Sequence, residues 1–324
     1  MEKEVDIVAL GELLIDFTEA GRSSSGKKLF EQNPGGAPAN LLTVAAHMGY
    51  KTEFIGKIGT DMHGDFLKRT LEDEGIGTKC LISDERYFTT LAFVDIDKKG
   101  ERRFSFFRKM SADTRLCERE LDRELLESCR IFHFGSLSMT DEPARTATIK
   151  AVEMAKKAGA VISYDPNYRV SLWNDEKKAV ESMRAMIQYA DVMKVSEEEL
   201  VLLTGIKDYS KAASQLLKLG PKLIAVTLGS EGAFIVTSRM KERIAGYRVQ
   251  AIDTTGAGDS FWGGFLSEFM KHKKNISDLS WDEIKKCTMY GNATAALCVQ
   301  KRGGIPAMPQ KDEVEQFVKR NCDD

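Results

Sequence analysis

The sequence predicts an α/β protein: a mostly parallel sheet covered by helices, with a second, small sheet set apart from it. Three observations carry that prediction. Short apolar runs alternate with longer amphipathic stretches from end to end, which is the pattern of buried parallel strands joined by crossover helices. Two segments, about residues 12–32 and 88–109, break the alternation with strand-like runs of their own. The chain is 324 residues long and 42% hydrophobic, enough to enclose a sizeable core.

The runs that read as buried strands are 5–10, 52–55, 131–134, 160–164, 192–195 and 223–227. Helices fill the intervals. Residues 39–48 stop at Gly49, 64–74 at Gly75 and 142–157 before Gly159, each glycine serving as a helix stop. Gly220-Pro221 separates a helix over 209–219 from the strand after it. In the second exceptional segment, runs 89–94 and 103–107 flank a turn at Asp97-Lys98-Lys99-Gly100. No repeat or flexible linker divides the chain, so the small sheet is interwoven with the main body over one domain, 1–324.

Lys plus Arg number 47 and Asp plus Glu 49, for a net charge of −2. That balance argues against a basic nucleic-acid binder and against an acidic disordered chain. The six cysteines form no CxxC pair, so neither a zinc site nor a disulfide framework is expected. The N-terminus lacks the basic and apolar regions of a signal peptide, and no apolar run is long enough to span a bilayer. The expectation is a cytoplasmic protein with no membrane or nucleic-acid partner.

The most informative segment is Asp253-Thr254-Thr255-Gly256-Ala257-Gly258-Asp259, a Gly-rich loop running into the apolar stretch 262–270. Glycines allow close backbone approach, and unpaired amides at a helix start make a site for phosphate oxygens. Asp259 falls in the first turn, where a carboxylate could take a proton from a substrate hydroxyl or simply favour the helix start. A second double-glycine turn, Gly35-Gly36-Ala37-Pro38-Ala39-Asn40, also leads into a helix. It reads as a lid hinge with Asn40 on a polyol, or as a turn with Pro38 opening the helix. Gly21 to Lys28 almost matches a P-loop, but Lys28 stands where the Ser or Thr that holds magnesium belongs, and no helix follows. Gly258-Asp259-Ser260 lacks the G-x-S-x-G of an esterase. No G-x-G-x-x-G follows the first strand, against a dinucleotide enzyme. The four histidines share no metal-ligand spacing.

Together the two glycine segments resemble the signatures of the ribokinase-like, PfkB-type carbohydrate kinases. The resemblance runs from Gly11-Glu12-Leu13 to Gly303-Gly304-Ile305, with Gly56-Lys57-Ile58-Gly59 and the strand and helix of residues 191–205 between. Arg108-Lys109-Met110-Ser111, His133-Phe134-Gly135-Ser136 and Asp165-Pro166-Asn167-Tyr168-Arg169 are similar to fructokinases in particular. The resemblance implies a three-layer sandwich with a β-sheet lid formed by about 12–36 and 87–110. It implies transfer of the γ-phosphate of ATP, with Mg²⁺, to the C6 hydroxyl of fructose. Asp259 is then the general base, and Gly256, Ala257 and Gly258 the anion hole. Asp16, Gly35, Gly36 and Asn40 match sugar contacts, with Arg108 and Arg169 as further contacts. Thr227, Gly229 and Gly232 line the nucleotide phosphates and Asn292 the adenine. Glu199 is linked to Mg²⁺ through water, and Asp253 lies beside a place for a monovalent cation such as K⁺. Lid strands pairing between subunits would give a homodimer.

Kinases for 2-keto-3-deoxygluconate carry a similar D-x-N-x-R segment, so Arg169 also fits an acidic sugar. Ribokinase, nucleoside kinase and a sugar-binding regulator without catalysis are the other readings, the last at odds with an intact Gly256, Gly258 and Asp259. Two departures from the family pattern stand out. Ser196 replaces the asparagine of N-x-x-E, and Gly304 stands where relatives often have alanine.

Overall fold

The computed structural model describes residues 3–96 and 102–322; the turn expected at 97–100 lies outside them. The strands are β1 (Val5–Leu10), β2 (Leu14–Arg22), β3 (Lys28–Gly35), β4 (Thr52–Gly59), β5 (Leu81–Asp84), β6 (Thr90–Ile96), β7 (Arg102–Phe107), β8 (Cys129–Gly135), β9 (Val161–Asp165), β10 (Val192–Ser196), β11 (Leu223–Thr227), β12 (Ala233–Thr237) and β13 (Lys241–Ile244). The helices are α1 (Ala37–His47), α2 (Met62–Asp73), α3 (Arg123–Ser128), α4 (Ala144–Lys157), α5 (Glu176–Ile187), α6 (Glu197–Thr204), α7 (Tyr209–Leu217), α8 (Ala257–Lys271), α9 (Trp281–Cys298) and α10 (Lys311–Cys322).

Nine strands form the main sheet in the order β13-β12-β11-β10-β9-β8-β1-β4-β5. The pairings from β5 through to β11 are parallel, and β12 and β13 close one edge antiparallel. Period-2 alternation divides the core into two faces. Val8, Leu10, Phe132, Phe134, Ile162 and Met193 pack under α3 to α7. Ile7, Ala9, Ile131, Val192 and Leu223 pack under α1, α2, α8 and α9, with α10 outside α1 and α9. The strand order reverses between β1 and β8, which places a crevice at the carboxyl ends of these strands.

The second sheet, β3-β2-β6-β7, is separate and draws on both exceptional segments. Its unusual join is the parallel pairing of β2 with β6, Leu14 opposite Thr90 and Phe17 opposite Phe93. Phe17 stacks on Phe93 at 4.9 Å, and Phe30 and Phe107 meet the same ring edge-on. The near-P-loop from Gly21 to Lys28 is the β2–β3 hairpin turn, closed by Ser23 N–H on the Lys27 carbonyl at 2.8 Å.

Two helices start earlier than the glycine punctuation suggests. The Asp61 side chain accepts from the amides of His63 and Gly64, capping α2 at Met62. Helix α1 opens at Ala37, whose N–H donates to Glu12 Oε1 at 3.0 Å. Gly36 before it sits at φ +133°, and a Cβ there would strike the Glu12 carbonyl oxygen. Among the described residues no helix is long and apolar enough to cross a membrane, and Cys80, Cys117, Cys129, Cys287 and Cys298 are free thiols.

Candidate active site

The carboxyl ends of β9, β10 and β11, the start of α8 and the start of α1 meet over the crevice. Asp259 lies in the first turn of α8, after Gly256 at φ +74°. The first amides of a helix have no partner inside it and point outward with the positive end of the macrodipole. One is turned inward, since Ala257 N–H donates to the Thr254 carbonyl at 3.3 Å. Asn40, in the first turn of α1, donates from Nδ2 to Asp259 Oδ2 at 2.8 Å. That bond joins the two glycine segments. Asn40 Oδ1 is buried with no hydrogen-bond partner among the described residues, an acceptor suited to a ligand hydroxyl.

Burial raises Asp259 to about 6; nearby Lys194 opposes the rise and Asp165 adds to it. Lys194, on β10, is itself buried and donates to Asp165 Oδ2 at 2.8 Å. Asp165, at the end of β9, accepts the Asn167 amide on Oδ1 at 3.1 Å. Asn167 is held at φ +44° in the same wall. Asp165 opens the D-x-N-x-R segment, though the sequence reading gives it no role, and Lys194 belongs to no motif; its only sequence signal is a lysine inside the apolar run Val192-Met193-Lys194-Val195.

Glu199 is buried in the first turn of α6, and its carboxylate is bonded twice. Oε2 accepts the Ser196 amide at 2.8 Å, while Ser196 Oγ accepts the Glu199 amide at 3.1 Å, a reciprocal capping box. Oε1 accepts the Tyr168 amide at 2.7 Å. Burial pushes Glu199 up, with Asp165 adding and Lys194 opposing. The described residues contain no group of three His, Cys, Asp or Glu able to hold a metal by themselves.

Two cavities meet here. A polar one of about 490 Å³ is lined by Asn167, Arg169, Lys194, Glu199, Gly258 and Asp259, among others. A more apolar one of about 390 Å³ is lined by Gly229, Gly232, Tyr247, Phe261, Asn292 and Val299, among others. Thr227, Thr254, Ala257 and Gly258 line both, so the two run together past the helix start. Asn292 donates to the Ala245 carbonyl at 2.9 Å and fixes that wall. Asp253 bridges two loops, accepting the Thr255 amide at 2.8 Å and the Gly303 amide at 3.2 Å.

The remaining residues fall into two groups. Asp16 and Gly35 adjoin in the small sheet, where a Cβ on Gly35 would lie 2.9 Å from Asp16 Oδ2, and Gly304 packs against Asn40. Arg169 is exposed on the polar cavity and donates to the Tyr168 carbonyl at 3.0 Å. Arg108 is buried and spent within the protein, donating to Asp113 Oδ2 at 2.7 Å, Thr140 Oγ1 at 2.8 Å and the Leu137 carbonyl at 2.7 Å.

A parallel sheet with its cleft at the strand ends, a helix start with outward amides and a carboxylate beside it make a site of the kind that phosphotransferases use. The pfkB family carbohydrate kinase description matches residues 5–311. The chain belongs to this family and is a sugar kinase with the ribokinase-like fold. Fructokinase-1 of Zea mays is 38% identical over 97% of this chain and 98% of its own. The crystal structure of fructokinase with bound ATP from Xylella fastidiosa superposes with a TM-score of 0.92 at 31% identity, over 99% of this chain and all of that one. Fructokinase from Vibrio cholerae, solved with fructose, ADP and calcium ion, gives 0.86 at 30% identity over 97% and 99%.

Proposed function

We propose that this sugar kinase is an ATP-dependent fructokinase that phosphorylates the C6 hydroxyl of fructose, with Asp259 as the general base. The observation that carries the reading is the Asn40–Asp259 hydrogen bond at 2.8 Å, which brings the polyol-type contact and the carboxylate to one point beside the Gly-rich helix start. Relatives named fructokinase, one solved with ATP and one with fructose and ADP, support donor and acceptor alike.

In this mechanism the adenine takes the apolar cavity beside Asn292, and the phosphates run past Thr227, Gly229 and Gly232 to the start of α8. Asn40, Asp16, Gly35 and Gly36 hold the sugar so that its C6 oxygen faces both Asp259 and the γ-phosphorus. Asp259 takes the hydroxyl proton as the new O–P bond forms and the bond to the ADP oxygen breaks. Outward amides of the Gly256–Gly258 turn stabilise charge on the transferring group. Mg²⁺, when bound with the nucleotide, neutralises phosphate charge. Both Glu199 oxygens accept amides, so this carboxylate suits a contact through water rather than direct ligation. The small sheet acts as the lid that excludes water, the competing acceptor.

A coupled ADP-release assay with Mg²⁺ on fructose, ribose, 2-keto-3-deoxygluconate, glucose and adenosine, with a no-sugar blank, tests the reading. Fructose should give the highest kcat/KM, and Asp259→Asn should lose at least about a thousandfold in turnover while still binding nucleotide. A preference for 2-keto-3-deoxygluconate would replace the substrate. Arg169, exposed at the polar cavity, is the observation that favours it, and Arg169→Ala would then impair only the acidic sugar.

A further inference from the structure

We propose that Lys194 is a further catalytic residue: its ammonium forms the floor of the phosphoryl-binding hole, reaching it through the gap at Gly258 and held there by Asp165. The proposal rests on the reading above that the polar cavity takes the ATP phosphates.

A lysine in a buried parallel strand is costly unless its charge is matched. Lys194 is only 6% exposed, and Val192 on the same face of β10 is wholly apolar and buried, so packing alone does not call for an ammonium. Its direct partner is Asp165 at 2.8 Å. An ammonium has three donors, and one bond to Asp165 leaves two.

Gly258 shows what lies beside the ammonium. A Cβ on Gly258 would stand 2.9 Å from Lys194 Nζ and 3.2 Å from its Cε, so any side chain there would press on the ammonium. The amide of this residue belongs to the helix start that faces the phosphates. The cation therefore sits beneath the point where anionic oxygens would gather, and glycine leaves the way open.

Charge balance points the same way. The polar cavity and its wall hold the carboxylates of Asp165, Glu198, Glu199 and Asp259 against two cations, Lys194 and Arg169, of which only Lys194 is buried. Triphosphate entering such a cavity meets repulsion on several sides. A buried ammonium at the reacting end offsets it where the local dielectric is low and charge on the transferring group is greatest. Asp165 is then a positioning residue, aimed by the Asn167 amide on its other oxygen.

The test uses the whole 324-residue chain as Lys194→Met, Lys194→Arg and the double variant Lys194→Met with Asp165→Asn, which does not strand the Asp165 carboxylate that Lys194 pairs. Thermal unfolding checks folding, fructose-dependent turnover gives kcat and KM, and calorimetry compares ATP with ADP. The expected result is a loss of about 10²-fold or more in kcat for Lys194→Met and for the double variant. ATP binding should weaken at least about tenfold with ADP binding nearly unchanged, and Lys194→Arg should recover part of the loss. A folded double variant with kcat within threefold of wild type would overturn the proposal. So would equal weakening of ATP and ADP, which marks a merely structural lysine. Absence of fructose turnover in the wild type would overturn the sugar reading alone, because the ATP-to-ADP comparison needs no sugar.

Discussion

As the proposed base, Asp259 would have to be anionic to accept a proton, yet it occupies a site that resists the anion. Burial raises it to about 6, with Lys194 and Asn40 restraining the rise. Its pH behaviour then has two opposite signs. With Asp259 as the proposed base, turnover would need the ionised form, so kcat/KM should climb about tenfold per pH unit below 6 and flatten above it. Stability runs the other way. A folded value above the unfolded one means that Asp259 favours the fold at low pH and loses that contribution as pH rises through about 6, worth at most about 3 kcal/mol. Asp259→Asn should therefore gain more in Tm over wild type at pH 8 than at pH 4.5. An equal difference at both values would show that the carboxylate is not desolvated.

Helix α6 shows what the serine does where the family pattern has asparagine. Ser196 caps the helix and Glu199 returns the bond, so the pair orders the end of β10 while Glu199 also holds the Tyr168 amide. Ser196→Ala should cost about 1 kcal/mol in urea unfolding and loosen the Tyr168–Arg169 wall, whereas Ser196→Asn, also a good cap, should stay within about 0.5 kcal/mol of wild type. Elements of this kind were unevenly legible. The parallel strands could be read because each is an apolar run bounded by turn residues, and β1 and β11 match their expected limits. The edge strand β13 escapes the pattern because its Lys-Glu-Arg-Ile run has one solvated edge and no apolar alternation. The two glycine segments and Asp259 were visible as local motifs, but Lys194 was not. Its place depends on Asp165 across the sheet, 29 residues away in sequence, and no local spacing encodes that meeting.

At the scale of the molecule, the small sheet is tied to the body at its roots. Arg108, just past β7, reaches Asp113, Thr140 and the Leu137 carbonyl, so one guanidinium fastens the end of that strand to the turn after β8. Arg108→Ala leaves the buried Asp113 carboxylate with only the Thr90 hydroxyl donating to it among the described residues and should lower unfolding stability by about 3–5 kcal/mol. Unchanged stability with a raised KM for fructose would make Arg108 a sugar contact rather than a tie. The parallel seam between β2 and β6 has a further consequence, in the order of synthesis. Leu14 emerges from the ribosome long before Thr90, its partner across the seam. In between come β3, α1, β4, α2 and β5. The β2–β3 hairpin therefore waits with Phe17 and Phe30 uncovered until Phe93 arrives, a non-local closure of the kind that slows folding and invites chaperones. The nascent chain completes the small sheet and the start of α1 with Asn40 before the loop bearing Asp259 has been made, so the two sides of the crevice mature in a fixed temporal sequence.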